Sequence, residues 1–291
     1  MIAADQSFET QIQSRLICVR CSGQLTVQDN DIRCATCGTV VATVIGDIVS
    51  FQRATKSYFD ERVEELDTTT SNNWSFSYAQ QVSLLSSHLE RATTVLDVGC
   101  GSRLPYKPKA DAFVIGVDPS SDALRANKRL NLRVHASGGR LPVASASVDL
   151  LVCFYSLHHM IGGSIAETRA NVAECLRECA RVLVPGGTLF IVENNPRSLY
   201  RLLQRWGWPF AKKILGRHLD MFFWSQRDLD RLLIEATGRG LDRTIQCDTS
   251  QLTVISPLFA VPRFKVFRFM HPLNCSVSIW NKELRTALAD R

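Results

Sequence analysis

Residues 95–101 read VLDVGCG, and residues 114–120 read VIGVDPS. Thr94, Val95, Leu96 and Val98 favour a strand that runs into a glycine turn, and a second apolar strand ends at Asp118. Glycines after a first strand let the backbone approach a ligand closely. An acid at the tip of the neighbouring strand can accept both hydroxyls of a ribose. The pair predicts a nucleotide-type cofactor site. A Gly-x-Gly alone does not say which cofactor.

Outward from that turn the chain alternates. Apolar spacing predicts strands at 94–98, 113–118, 131–135, 148–154 and 188–193, with helices near 121–129 and 165–182. Ahead of them Tyr78, Val82, Leu85 and Leu89 repeat at helical spacing, and CSVSIWN (275–281) reads as a last strand. Such alternation predicts an α/β fold with a doubly wound, mostly parallel sheet. Ligands of such sheets bind at the carboxyl ends of the strands.

The 291 residues are 45% hydrophobic and 21% charged, which suits a globular protein with a substantial core. No run approaches the ~20 apolar residues of a membrane-crossing helix, and the start, MIAADQSFETQIQSR, lacks the pattern of a secretory signal. Of ten cysteines, four form two close pairs and six are scattered through apolar segments. That distribution suits a reducing compartment, so a cytoplasmic protein is expected. The net charge of +6 permits an anionic partner without requiring one.

The two close pairs, Cys18-x-x-Cys21 and Cys34-x-x-Cys37, lie twelve residues apart. Four thiolates in two knuckles complete a closed tetrahedral shell, which predicts a structural Zn2+. Gly23 and Gly38 follow the pairs, where the turn around the sulfurs is expected to need positive φ. A metal also supplies folding energy that so short a segment hardly obtains from its own core. After the second pair, TVVATVIGDIVSF (39–51) predicts two short strands around Gly46-Asp47. Residues 14–52 resemble the small zinc-ribbon proteins that activate tRNA and translation-factor methyltransferases. Residues 53–77, rich in Thr, Ser and Asn, read as a linker, with Tyr58, Phe59, Trp74 and Phe76 holding it to a surface.

The glycine turn, the Asp118 strand, LPVASASVDLLVCFYSLHHM (141–160) and ECARVLVPGGTLFIVEN (178–194) occur in an order that resembles class I S-adenosylmethionine-dependent methyltransferases. The small-molecule branch that includes quinone-biosynthesis enzymes is the nearest in pattern. A dehydrogenase shares the glycine turn, but Arg-Val-Leu-x-Pro-Gly-Gly (181–187) is a methyltransferase habit. The resemblance implies a seven-stranded Rossmann-like domain over 78–291, with cap insertions near 195–224 and 251–272. It also implies that Asp97, Gly99 and Gly101 face the methionine part of S-adenosylmethionine. Asp118, followed by Pro119, would hold the ribose, with Ser137 and Gly138 near the adenine and Cys153 and Phe154 beside the sulfonium. Two departures stand out. Arg103 replaces the third glycine, and SRLPYKPKA (102–110) carries Pro105 and Pro108 where a helix normally follows.

Methyl transfer to a hydroxyl needs alignment, exclusion of water and removal of a proton. His158 and His159 follow the fourth predicted strand and are placed at the mouth of the site; a histidine titrates near the working pH. His158 is the preferred base, although the pair can equally serve packing and capping. His218, before MFFW (221–224), is a second candidate in a segment that folds over the acceptor in similar enzymes. Cys175 and Cys179 are four apart on one helix and are expected to be core. No Pro-Pro-aromatic motif follows the fourth strand and no proline follows Cys153, which disfavours adenine-N6 and cytosine-C5 chemistry.

Asn194–Leu219 contains no acid, yet holds Arg197, Arg201, Arg205, Lys212, Lys213 and Arg217 among Trp206, Trp208 and Phe210. Thr249–Lys282 is also acid-free, with Arg263, Lys265 and Arg268 among Phe259, Phe264, Phe267 and Phe269. Three readings stay open: solvated cap segments, an interfacial surface on a membrane, or a track for a phosphate backbone. The expectation is a methyltransferase with a small-molecule or lipid-linked acceptor, O- or C-methylated, with peripheral membrane contact as one option. The alternatives are an RNA methyltransferase and a non-catalytic module that retains the fold.

Overall fold

The computed structural model describes residues 2–52, 75–216, 219–248, 253–254, 264–265 and 272–284. The linker expected at 53–77 falls outside this set apart from the start of a helix at Ser75. The insertion expected at 251–272 also falls outside it, except for two short paired strands (Thr253–Val254 and Phe264–Lys265, β11 and β12) and Pro272.

Five parallel strands form the centre: β5 (Thr94–Val98), β6 (Phe113–Asp118), β7 (Leu132–His135), β8 (Val148–Phe154) and β9 (Leu183–Pro196). β13 (Leu273–Asn281) pairs antiparallel to β9, and β10 (Arg243–Cys247) antiparallel to β13. The resulting seven-strand order is β7-β6-β5-β8-β9-β13-β10. Near-continuous apolar runs such as Val114–Val117 and Leu150–Phe154 are buried because helices cover both faces. On one side Val172, Cys175, Leu176 and Cys179 of α4 (Ile165–Val182) meet Leu151, Cys153 and Ile191. On the other, Leu85 and Leu89 of α2 (Ser75–Leu89) meet Val95, Val152 and Phe190. As expected from its prolines, 102–110 forms no helix. The helix expected at 121–129 is shorter: α3 (Ser121–Ala126) ends where Asn127 turns extended.

The N-terminal module joins this sheet edge to edge. β1 (Leu25–Gln28), β2 (Asp31–Cys34), β3 (Val40–Ile45) and β4 (Ile48–Ser50) form antiparallel pairs. β4 then pairs parallel with β7, Val49 opposite Val134, so that one sheet of eleven strands runs through the described residues. A sheet edge is a row of unpaired amides and carbonyls, and here each module closes the other's edge. The seam is tightened by the Leu16–Val143 bridge, by Ile17 N donating to Pro142 O at 3.0 Å, and by Arg133 pairing with Asp47 at 3.0 Å. Residues 2–15 form α1 (Ile2–Arg15), which the sequence reading did not anticipate; Ile12 is buried in the common core. Beyond β9, α5 (Ser198–Leu215) and α6 (Gln226–Thr237) complete the described helices.

Candidate active site and metal centre

At the carboxyl end of β5 the chain turns through Gly99 (φ 75°) and Gly101 (φ 56°). A Cβ on Gly99 would stand 2.5 Å from Ser156 Cβ, whereas one on Gly101 would meet nothing within 4 Å. Gly99 is therefore fixed by packing, and Gly101 borders open space. The turn is fastened to the tip of β6. Gly101 N donates to Asp118 Oδ2 at 2.9 Å, Ser120 N donates to Oδ1 at 2.8 Å, and Asn127 Nδ2 donates to Gly101 O at 3.0 Å. Capping of α3 falls to Ser120, whose Oγ accepts from Ala123 N. Asp118 is buried against the turn.

Asp97 is 1% exposed, and burial pushes its carboxyl up to about 7. Tyr106, from the proline-rich loop, donates its hydroxyl to Asp97 Oδ2 at 2.6 Å and opposes that rise. Asp97 Oδ1 and Ser156 Oγ are buried without a hydrogen-bond partner. Such orphaned polar atoms at the end of a central strand suit a ligand that brings cationic and hydroxyl groups. Ser137 is exposed, and Gly138 lies against Met160 Cε and Val98 Cγ1. Phe154 packs edge-on to Tyr78 at 5.1 Å and to Tyr155 at 5.3 Å. The Cys153 thiol points elsewhere: it is fully buried with Cys175 and Cys179, and bonding with Cys175 holds it well above its ordinary range. Only the backbone of Cys153 can serve a ligand at the strand end.

Sequence reasoning missed the partner of His158. Its Nδ1 lies 2.7 Å from Glu193 Oε2, both side chains are buried, and Glu193 Oε1 accepts from Leu157 N at 2.8 Å. The sequence offered only part of the signal, an acid at the end of the last parallel strand; the pairing needs β8 and β9 to end side by side. A carboxylate on Nδ1 fixes the tautomer and leaves Nε2 as the proton acceptor. Over this pair runs the MFFW segment. Phe223 stacks on His158 (5.2 Å, 28°), Phe222 N donates to His158 O at 2.8 Å, and His159 Nδ1 donates to Asp220 O at 3.0 Å. Gln204 of α5 holds the segment at both Phe223 N and Phe223 O, each at 2.9 Å. His218 lies outside the described residues. A second missed feature is Tyr155, an aromatic residue at φ 54° whose hydroxyl sits 2.9 Å from Cys275 Sγ. Strain of this kind in a bulky residue gathers at functional turns.

In the small module the sulfurs of Cys18, Cys21, Cys34 and Cys37 all lie within 4.8 Å of one another. Tetrahedral Zn–S bonds of about 2.3 Å place sulfurs about 3.8 Å apart, and the observed Cys18–Cys37 and Cys21–Cys34 separations are 3.9 and 3.4 Å. Arg20 N donates to Cys18 Sγ and Cys37 N to Cys34 Sγ, as charged thiolates require. Gly38 has the expected positive φ of 69°, but Gly23 does not share it. Gly23 is needed because a Cβ there would collide with Thr36 Oγ1 and Cys34 Sγ.

Residues 96–191 match the family model described as a methyltransferase domain. Over 169 residues the chain is 27% identical to the mitochondrial ubiquinone biosynthesis O-methyltransferase of Homo sapiens, a match covering 52% of this chain and 42% of that protein. Over 134 residues it is 30% identical to the demethylmenaquinone methyltransferase of Tropheryma whipplei, covering 42% of this chain and 52% of that one. The chain thus spans about half the length of the relatives it matches. The structure of the N-methyltransferase NodS from Bradyrhizobium japonicum in complex with S-adenosyl-L-homocysteine superposes with a TM-score of 0.50 at 13% identity, covering 78% of this chain and 99% of that one, a likeness of fold. Strand order, glycine turn and family match agree over residues 96–191, where the chain is similar to methyltransferase domains.

Proposed function

We propose that the protein transfers the methyl group of S-adenosylmethionine to a small-molecule or lipid-linked acceptor, at an oxygen or an acidic carbon. The observation that carries this reading is the buried His158–Glu193 pair beneath Phe223. It lies two residues beyond Ser156, which packs on Gly99 of the cofactor turn. The chemistry S-adenosylmethionine supplies when bound is an electrophilic methyl group on a sulfonium. Asp97, Gly99 and Gly101 would hold its methionine end, Asp118 and Pro119 its ribose, Ser137 and Gly138 the adenine side, and Phe154 with the Cys153 backbone would lie beside the sulfonium. Nε2 of His158 takes the acceptor's proton, Glu193 keeps the ring in the tautomer that can do so, and the Phe222–Trp224 strap excludes water. The names of the two relatives, one of ubiquinone biosynthesis and one of demethylmenaquinone, favour a quinone-type acceptor. Cys18, Cys21, Cys34 and Cys37 would hold a structural zinc.

An RNA acceptor is the second reading, favoured by a groove lined by Arg201, Arg205, Arg227 and Arg231. Labelled methyl transfer from S-adenosylmethionine into fractionated cell extract separates the two: label is expected in lipid or small metabolites, and label in RNA would reverse the order. His158→Ala and Glu193→Gln should each lower turnover by about 10²–10⁴-fold while cofactor affinity is kept. Full turnover in His158→Ala would remove the base assignment, and calorimetry without S-adenosylmethionine binding would favour a non-catalytic module.

A further inference from the structure

Helix α5 turns the wrong face to water. Leu199, Leu202, Leu203, Trp206, Phe210 and Ile214 are exposed by 71, 56, 59, 82, 70 and 66%. At about 100° per residue these six fall in one arc of about 120°. The opposite face holds the helix to the protein: Trp208 is buried, its Nε1 donates to Met221 O, and Gln204 pins the Phe223 backbone. The helix is thus anchored, and its apolar stripe is presented outward. No described helix is long and apolar enough to cross a membrane.

The flank of the stripe is cationic. A groove of about 440 Å3 between α5 and α6 is lined by Arg201, Arg205, Arg227 and Arg231, with Leu202 of the stripe in its wall. Among the described residues, Asp228 pairs with Arg205 at 3.3 Å, and no ion pair engages the other three guanidiniums. Helix α5 contains no acid, and exposed Lys213 falls within the same arc as the stripe. A protein partner with an apolar groove would not call for an unneutralised arginine cluster at the stripe's edge, and an RNA strand would not call for six exposed aliphatic and aromatic groups in line. A bilayer offers both at once: acyl chains for the stripe and phosphates for the groove.

We infer that α5 and the adjoining arginine groove dock this protein on an anionic lipid bilayer, the stripe entering the headgroup–acyl boundary and the arginines taking lipid phosphates. Because the opposite face of α5 holds the strap over His158, docking would leave one helix between the strap and the lipid surface. The inference stands on this surface and does not need the acceptor reading.

The test is cosedimentation of the full chain with phosphatidylcholine vesicles with and without phosphatidylglycerol, across a salt series. Binding is expected to the phosphatidylglycerol vesicles only and to weaken with salt. Trp206→Glu with Phe210→Glu should abolish it while S-adenosylmethionine affinity is unchanged. Arg227→Ala and Arg231→Ala should each weaken binding about fivefold, the equivalent of about 1 kcal/mol per basic residue at such a surface. Absence of vesicle binding, or unchanged binding by the double glutamate variant, overturns the inference. So does a dimer in sedimentation velocity that the glutamates split, or RNA retention lost with the same arginines in place of vesicle binding. Absence of methyl transfer, with vesicle binding intact, would count against the proposed function alone.

Discussion

Ser50 Oγ and His135 Nδ1 stand 2.8 Å apart, both side chains buried, in the seam where the cysteine-rich module meets the large sheet. The other ring nitrogen of His135 donates to Pro119 O at 3.1 Å, one residue from Asp118. A carbonyl only accepts, so Nε2 carries a hydrogen, and the single Ser50 hydroxyl hydrogen is shared between His135 Nδ1 and Gln52 O, 2.9 Å away. Two hydrogen bonds thus connect the last strand of the small module to the loop after Asp118, the proposed ribose acid. Ser50→Ala leaves a buried ring nitrogen unsatisfied and should cost about 1–3 kcal/mol of stability. Cofactor affinity should fall with it. Denaturant titration and calorimetry check both, and a variant as stable as wild type would mean that the bond carries no weight.

Through the shared sheet, a zinc held by the four cysteines would stabilise the large sheet as well. Binding energy at the four cysteines is folding energy of β1–β4, and β4 covers the edge of β7. Elemental analysis should find one zinc per chain, and a strong chelator should lower the melting temperature of the whole protein. Scanning calorimetry should show a single transition with metal bound. Loss of metal that leaves the main transition in place would mean that the two modules are thermally independent.

Asp97 sets a pH dependence of opposite sign to that of ordinary paired carboxylates. Its folded carboxyl is raised from the usual 3.8 to about 7 by burial. The folded state therefore binds the proton more tightly than the unfolded chain. The stability from that preference is complete below about pH 4 and is lost as pH rises to about 7. Its size is roughly 4 kcal/mol at most, at about 1.4 kcal/mol per pKa unit. The difference in stability between wild type and Asp97→Asn, which cancels the zinc ligands, should follow this slope. Asp97→Asn should be the more stable at pH 8 and bind S-adenosylmethionine more weakly. Tyr106→Phe, which removes the bond that opposes the rise, should move the Asp97 titration above about 7.

What was legible in the sequence was local. Runs such as Val95–Val98 and Val148–Phe154 carry their strand character in their own side chains, and the prolines at 105 and 108 forbid a helix without outside help. The cysteine knuckles specify their own spacing. What was not legible needed two distant segments to meet. Nothing in Ile48–Ser50 says that its free edge matches that of β7. Glu193 becomes a partner for His158 only because β8 and β9 end side by side. Tyr106 reads as one more loop aromatic until the loop folds it onto Asp97. The basic, aromatic character of Asn194–Leu219 was plain, but which face of α5 the protein would cover was not. That was decided by Trp208 and Gln204, not by the larger apolar set.

The two glycines of the proposed cofactor turn allow the site to be tested apart from the fold. Gly99→Ala forces a Cβ to 2.5 Å from Ser156 Cβ at φ 75°, so backbone must move. A loss of several kcal/mol is expected, with cofactor binding lost as a consequence. Gly101→Ala meets no atom within 4 Å and bears only the left-handed φ of 56°, which costs about 1–2 kcal/mol. If the open space beside Gly101 belongs to S-adenosylmethionine, the added methyl group should cut affinity at least tenfold while the melting temperature falls by only a few degrees. Isothermal titration and thermal unfolding of both variants separate the cases. Undiminished affinity in Gly101→Ala would place the methionine end away from this turn, as Arg103 and the proline-rich loop allow. The orphaned Oδ1 of Asp97 would then remain to be explained by another ligand group.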